Sequence, residues 1–172
     1  GLAKVPVAVN LSALEFRQRD VAAEIAAVLQ ETGLAPQYLE IELTESVLMH
    51  QTGQTLNTLH AVKALGVGIS IDDFGTGYSS LAYLKRYPID KLKIDRSFVT
   101  DTPGSADDVA IVTAIIQMAR SLQLKTVAEG VETQGQIALL KELGCDVIQG
   151  FVVSVPMDET IAREWLESNG SG

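Results

Sequence analysis

The sequence predicts an α/β chain folded as a TIM-type (β/α)8 barrel truncated to about six βα units. Six short apolar segments alternate with helical ones along the 172 residues. The connections between them are too long for hairpins, so the strands must pair in parallel through crossover helices. Four successive strands also set polar groups at matching depth on one face: Asn10, Glu42, Asp72 and Lys93. An open sheet covered on both sides would be apolar on both, whereas polar groups converging from strand ends form the mouth of a barrel. A complete barrel takes about 250 residues and eight strands, hence the truncation.

Val5 to Ser12 alternates as a strand, with Val5, Val7, Val9 and Leu11 on one face and Ala8, Asn10 and Ser12 on the other. A helix is expected from about Glu15 to Glu31, its apolar stripe Val21, Ile25, Val28 and Leu29, stopped by Gly33 with Pro36 beyond. Tyr38 to Thr44 sets Leu39, Ile41 and Leu43 against Glu40, Glu42 and Thr44, and a helix over about Thr55 to Leu65 ends at Gly66. Val67 to Leu81 opens as a strand, meets the adjacent acids Asp72 and Asp73, and turns through Gly75-Thr76-Gly77. It leaves as a short helix over about Ser80 to Arg86, capped by Ser79 or Ser80 and closed by Pro88. Lys91 to Asp95 is the fourth strand, followed by a loop with Pro103 and Gly104 and a long helix from about Ala106 to Leu122. Lys125 to Glu132, a helix from Thr133 to Leu143, a strand from Asp146 to Val153 and a helix from about Asp158 to Glu167 complete the pattern.

Composition narrows the function. Hydrophobic residues make up 47% of the chain, which excludes disorder. The longest apolar stretch, Val109 to Leu122, is interrupted by Gln117 and Arg120, so no segment reaches the ~18 residues of a membrane span. A formal charge of −9 argues against DNA binding through the backbone, while bound cations could still bring in a small anion. The lone Cys145 forms no internal disulfide and fits a reducing cytoplasm. The chain starts at Gly1 rather than Met and ends Ser-Asn-Gly-Ser-Gly, so it reads as part of a longer protein.

The strand ends carry Asn10, Glu42, Glu45, Asp72, Asp73, Lys93, Asp95, Glu129, Glu132 and Gln149. Carboxylates held together repel unless a positive charge joins them, and an all-oxygen donor set selects hard cations such as Mg²⁺ or Mn²⁺. Clustered Cys and His, which zinc would need, are absent; His50 and His60 read as surface residues. Two adjacent acids can each reach a different ion, the arrangement that clamps both oxygens in phosphodiester hydrolysis. Lys93 could steady the water or the developing charge on phosphate. Structural salt bridges are the bland alternative. Simple alternation puts Glu129 on the face of Val127, so turning it inward calls for a bend, placed at Gly130.

Six motifs then appear in order: Val-Asn-Leu-Ser at 9–12, Glu-Leu-Thr-Glu-Ser at 42–46 and Asp-Asp-Phe-Gly-Thr-Gly-Tyr-Ser-Ser-Leu at 72–81, then Leu-Lys-Ile-Asp-Arg at 92–96, Ala-Glu-Gly-Val-Glu-Thr at 128–133 and Gln-Gly-Phe at 149–151. With these the chain resembles the EAL family of bacterial cyclic-di-GMP phosphodiesterases, over residues 1–168 with 169–172 as a tail. The resemblance implies a modified (β/α)8 barrel that opens cyclic-di-GMP to linear pGpG with two Mg²⁺ or Mn²⁺ ions. It implies that Asn10, Glu42, Asp72, Asp73 and Asp95 bind or support the metals, with Glu132 in or beside their site. It assigns Glu129 as general base or water-orienting carboxylate and Lys93 as the lysine near the attacking water. Glu45, Gln149 and Pro156 fall to substrate binding or loop support, Glu45 as the acid holding the loop after Asp73. It further implies a homo-oligomer, an upstream sensory or GGDEF domain, and a cytoplasmic location in a parent that a membrane segment could anchor.

Two departures stand out. The Glu-Ala-Leu motif is not in this chain, and Val153 and Val155 stand where the family commonly has an aromatic or small residue and a basic one. A non-catalytic cyclic-di-GMP receptor or protein-interaction module on the same scaffold is therefore a second reading. A third is a barrel fragment that self-associates through open strand edges.

Overall fold

Alternating β-branched and polar residues become strands, and the amphipathic segments between them become helices. In the computed structural model, which describes residues 4–49, 53–77 and 84–169, the order is β1 (Val7–Leu11), α1 (Ala13–Gln18), α2 (Val21–Thr32), β2 (Leu39–Thr44), α3 (Glu45–Met49), α4 (Gly53–Ala64) and β3 (Gly68–Phe74). It continues with β4 (Lys91–Ile94), α5 (Arg96–Val99), α6 (Ala106–Ser121), β5 (Lys125–Ala128), α7 (Gln134–Leu143), β6 (Val147–Ile148) and α8 (Glu159–Asn169).

The six strands are all parallel and lie in the sheet in chain order, β1-β2-β3-β4-β5-β6. A doubly wound sheet reverses its order at a switch point. This one never reverses, so every crossover turns the same way and the helices share one face. The fold is a six-stranded arc of a TIM-type barrel. On the helix-covered face Leu43, Ile71, Leu92, Ile94 and Ala128 are fully buried, packed with Leu59 and Val62 of α4 and Val112, Ile116 and Ala119 of α6. The concave face instead carries Glu40, Glu42, Ser70 and Lys93, all buried.

The structure corrects several sequence expectations. The first helix is two, because Asp20 accepts a hydrogen bond from the Ala23 amide at 3.2 Å and caps a new helix at Val21. Val28, assigned to the apolar stripe, is 52% exposed while Val21 and Leu29 are buried. The outward face of β1 is also bare: Val5, Val7 and Val9 are exposed, since α1 and α2 pack on α3 and α4 rather than on β1. The last strand is only Val147–Ile148, because the chain turns at 151–153, where Val152 and Val153 hydrogen-bond back to Val131 and Gly150. Two short helices, α3 and α5, begin directly at the ends of β2 and β4. Most of the helix expected over 80–86, with its caps Ser79 and Ser80, lies outside the described residues, as does His50; His60 is exposed.

One buried side chain fixes the loop after β5. The Gln136 Oε1 accepts from the Glu132 and Thr133 amides at 2.8 and 2.9 Å, and its Nε2 donates to the carbonyls of Val99 and Thr100, both at 3.1 Å. Thr133 returns the cap to Gln136, the reciprocal arrangement that Thr-x-x-Gln favours. Gln136 thereby ties the Glu129–Thr133 turn to the end of α5. Gln136→Ala strands buried amides and carbonyls, and is expected to cost about 2–3 kcal/mol in urea unfolding.

Candidate active site

Lys93, on the concave face of β4, is the point where three strands meet. Its Nζ lies 2.8 Å from Glu42 Oε2 on β2, 2.9 Å from Asp72 Oδ1 on β3 and 2.8 Å from Glu129 Oε1 just after β5. Burial alone would lower the pKa of this lysine. The hydrogen bonds to Glu129, Glu42 and Asp72 outweigh that and hold it above the ordinary lysine range. Burial pushes the Glu129 carboxyl up; Lys93 opposes the rise, and Asp72 and Glu42 add to it. One layer toward the strand starts, Lys91 pairs with Glu40.

Glu129 needs no bend to arrive there. The pairing Lys93↔Val127 puts Val127 itself on the concave face, and the Glu129 amide extends the ladder to the Ile94 carbonyl at 3.2 Å. The real irregularity is on β3. Between Ile71↔Leu92 and Phe74↔Ile94 the strand holds one residue more than β4, a bulge centred on Asp73 at φ 53°. The extra residue breaks the alternation, so Asp72 and Asp73 turn to the same rim instead of opposite faces. One oxygen from each of Asp72, Asp73 and Glu129 lies within 4.8 Å of the others. Metal–oxygen bonds of about 2.1 Å put opposed ligands ~4.2 Å apart, so these donors fit a hard cation after a small closure.

Asp95 closes the rim from the end of β4. Its Oδ1 accepts from the Ser97 amide at 2.9 Å and from the Ser97 hydroxyl. Burial raises the Asp95 pKa, but the Ser97 bonds and one from Asp73 outweigh it, so the net shift is down. Asp73 moves up, through burial first, then Asp72 and the bond to Asp95.

Behind the rim, Glu45 starts α3 rather than ending a strand, and it is 4% exposed. Its Oε2 accepts from the amides of Gly75 and Gly77 at 3.1 and 3.2 Å, fastening the turn that follows Asp73. Gly75, at φ +103°, lies where a Cβ would be 2.8 Å from the Phe98 ring, so the turn rests on α5 as well. A cleft of about 630 Å³ opens beside the acids, with Glu132, Gln149, Arg96 and Phe151 among its lining. Asn10 stands on β1 in register with Glu42, exposed. Pro156 is exposed and not among the residues lining the cleft. Arg96, Phe98 and Gln136 were not singled out from sequence; the Thr133-x-x-Gln136 cap was the readable sign for the last.

The family model for the EAL domain matches residues 1–156. This chain belongs to the EAL domain family. Among curated relatives, the EAL domain is 47% identical to the cyclic di-GMP phosphodiesterase NbdA of Pseudomonas aeruginosa, over 98% of this chain and 22% of that protein. It is 50% identical to MucR of the same organism, a bifunctional diguanylate cyclase/cyclic di-GMP phosphodiesterase, over 88% of this chain and 22% of MucR. The chain thus spans about a fifth of the length of these relatives. The MucR phosphodiesterase solved with c-di-GMP superposes with a TM-score of 0.87 at 48% identity, covering 91% of this chain and 64% of that one. Klebsiella pneumoniae BlrP1, solved with c-di-GMP and manganese, gives 0.79 at 34% identity, covering 87% and 38%; it was also solved with calcium.

Replacing Lys93 by Met in the EAL domain leaves Glu42, Asp72 and Glu129 facing one another. The metal-free fold is expected to lose about 3 kcal/mol at neutral pH. The uncompensated carboxyls then have raised folded pKa values, which destabilise the fold above the unfolded pKa and cease to do so as pH falls. Urea unfolding from pH 7 down to about pH 5 should therefore show the gap to wild type narrowing.

Proposed function

We propose that this EAL domain hydrolyses cyclic-di-GMP to linear pGpG in a reaction requiring Mg²⁺ or Mn²⁺. The observation that carries this is the gathering of Glu42, Asp72 and Glu129 from three strands around one buried ammonium, with the Asp73 oxygen in reach, at the mouth of an open cleft. The phosphodiesterase names of the relatives and the manganese in BlrP1 support the same reading.

Asp72 and Asp73 would hold the cations, with Asn10, Glu42, Asp95 and Glu132 completing or supporting the set and Glu129 facing the water beside them. Bound there, the cations supply charge to the phosphate oxygens and acidity to a water. In the reaction, water oxygen bonds to phosphorus, the bond to the 3′ oxygen breaks, and the 3′ hydroxyl leaves with a proton. Glu129, held with a raised pKa, orients that water and takes its proton. Lys93 keeps the neighbouring carboxylates from repelling one another and offsets charge as the phosphate becomes five-coordinate. Glu45 holds the Gly75–Gly77 turn and with it Asp73. Gln149 would contact substrate in the cleft, whereas exposed Pro156 would support the adjoining loop. For the longer protein we further propose a homo-oligomer and a cytoplasmic location, with an upstream sensory or GGDEF domain; among the described residues no helix is long and apolar enough to cross a membrane.

The test is production of pGpG by the full-length protein, followed by chromatography with Mn²⁺ or Mg²⁺ and with EDTA. Turnover is expected with either ion and abolished by chelation. Glu129→Gln should lower kcat by about 10²–10⁴-fold while KM changes little. Tight cyclic-di-GMP binding without pGpG under any metal would replace this reading with that of a receptor.

A further inference from the structure

The cleft beside the acid cluster is hostile to an anion. Asp73, Asp95, Glu129 and Glu132 line it, and Arg96 is the single cation among its described lining residues. The other nearby cation, Lys93, is 4% exposed and already bound by three carboxylates. Arg96 is exposed, and among the described residues its side chain makes no ion pair.

Its stem, however, is fixed. Gly130, at φ +66°, packs so closely that a Cβ there would lie 2.6 Å from the Arg96 Cβ. The backbone of Arg96 sits between Asp95 and Ser97, which are locked together by the bond from the Ser97 amide to Asp95 Oδ1 at 2.9 Å. The guanidinium is therefore the free end of an anchored side chain, beside the turn that carries Glu129. A guanidinium fork matches the two free oxygens of a phosphodiester.

A cyclic dinucleotide brings two phosphodiesters. If one sits at Asp72, Asp73 and Glu129 to be cleaved, the other enters the same acidic cleft with its charge intact. We propose that Arg96 binds this second, uncleaved phosphodiester and so sets substrate affinity rather than the rate of bond cleavage. The inference rests on the function proposed above.

The experiment uses the full-length protein with Arg96→Met and Arg96→Lys. Loss of a charge-assisted fork should raise Kd for cyclic-di-GMP, measured by calorimetry in Ca²⁺, and KM in Mn²⁺ by about 10- to 100-fold. The change in kcat should stay within about threefold, because a contact made equally in ground and transition states alters binding alone. The plot of log Kd against log salt should become shallower, since one charge–charge contact is lost, and Arg96→Lys, which keeps the charge without the fork, should recover only part of the affinity. Bis(p-nitrophenyl) phosphate, which has a single phosphate, should be hydrolysed equally by wild type and Arg96→Met. Cyclic-di-AMP should lose affinity by the same factor as cyclic-di-GMP.

If only cyclic-di-GMP weakens, Arg96 reads the guanine edge and the proposal is overturned. Unchanged Kd and KM in an active protein overturn it alone. A wild-type protein that neither binds nor hydrolyses cyclic-di-GMP removes this inference together with the function beneath it.

Discussion

One ammonium holds the concave face together. The charges on Glu42, Asp72 and Glu129 come from three different strands, and each would oppose the others without Lys93 between them. Ion pairs at the surface contribute little. A pair this buried matters for a different reason: removing one partner leaves a charge that neither water nor protein can satisfy. The lysine thereby permits carboxylates to gather on a concave face that also carries apolar Val127, and it keeps them assembled. The oxygens of Asp72, Asp73 and Glu129 already lie within one small volume.

Around that centre the neighbouring elements fix position rather than supply charge. Gln136 fastens the turn after β5 to the end of α5, Asp95 caps α5 through Ser97, and Glu45 draws the Gly75–Gly77 turn down onto Phe98. Three loops that carry acids are thus tied to one four-residue helix. The loops of the rim brace one another through side-chain-to-backbone hydrogen bonds, while the helices behind provide the apolar packing.

Much of this was legible in the sequence, and the limits have physical causes. Period-two alternation located all six strands, and the polar residues on their concave faces pointed to Glu42, Asp72 and Lys93. Alternation misjudged Glu129 because Val127 looks like a core residue, yet a barrel lines its inside with apolar side chains as well as its outside. The break at Asp20 was missed because the apolar spacing runs on across it, and only the capping geometry shows that one helix ends and another starts. The bareness of β1 and Val28 could not be read at all, since burial is decided by which helix covers which strand. The roles of Arg96 and Phe98 emerge only from close approaches to Gly130 and Gly75, contacts between segments far apart in the chain.

The bulge on β3 has an implication for how this segment can vary. Before Asp73 the side chains alternate in one phase; after it, in the other, so that Phe74 returns to the buried side. The helix-packed face and the acidic rim are thus reconciled by a single supernumerary residue. Substitutions nearby change one side chain each, but losing or gaining one position between Ile71 and Phe74 would swap inside for outside along the rest of the strand. Descent with variable length, common in surface loops, should therefore stop short of this stretch, whose spacing is as much a part of the site as its carboxylates.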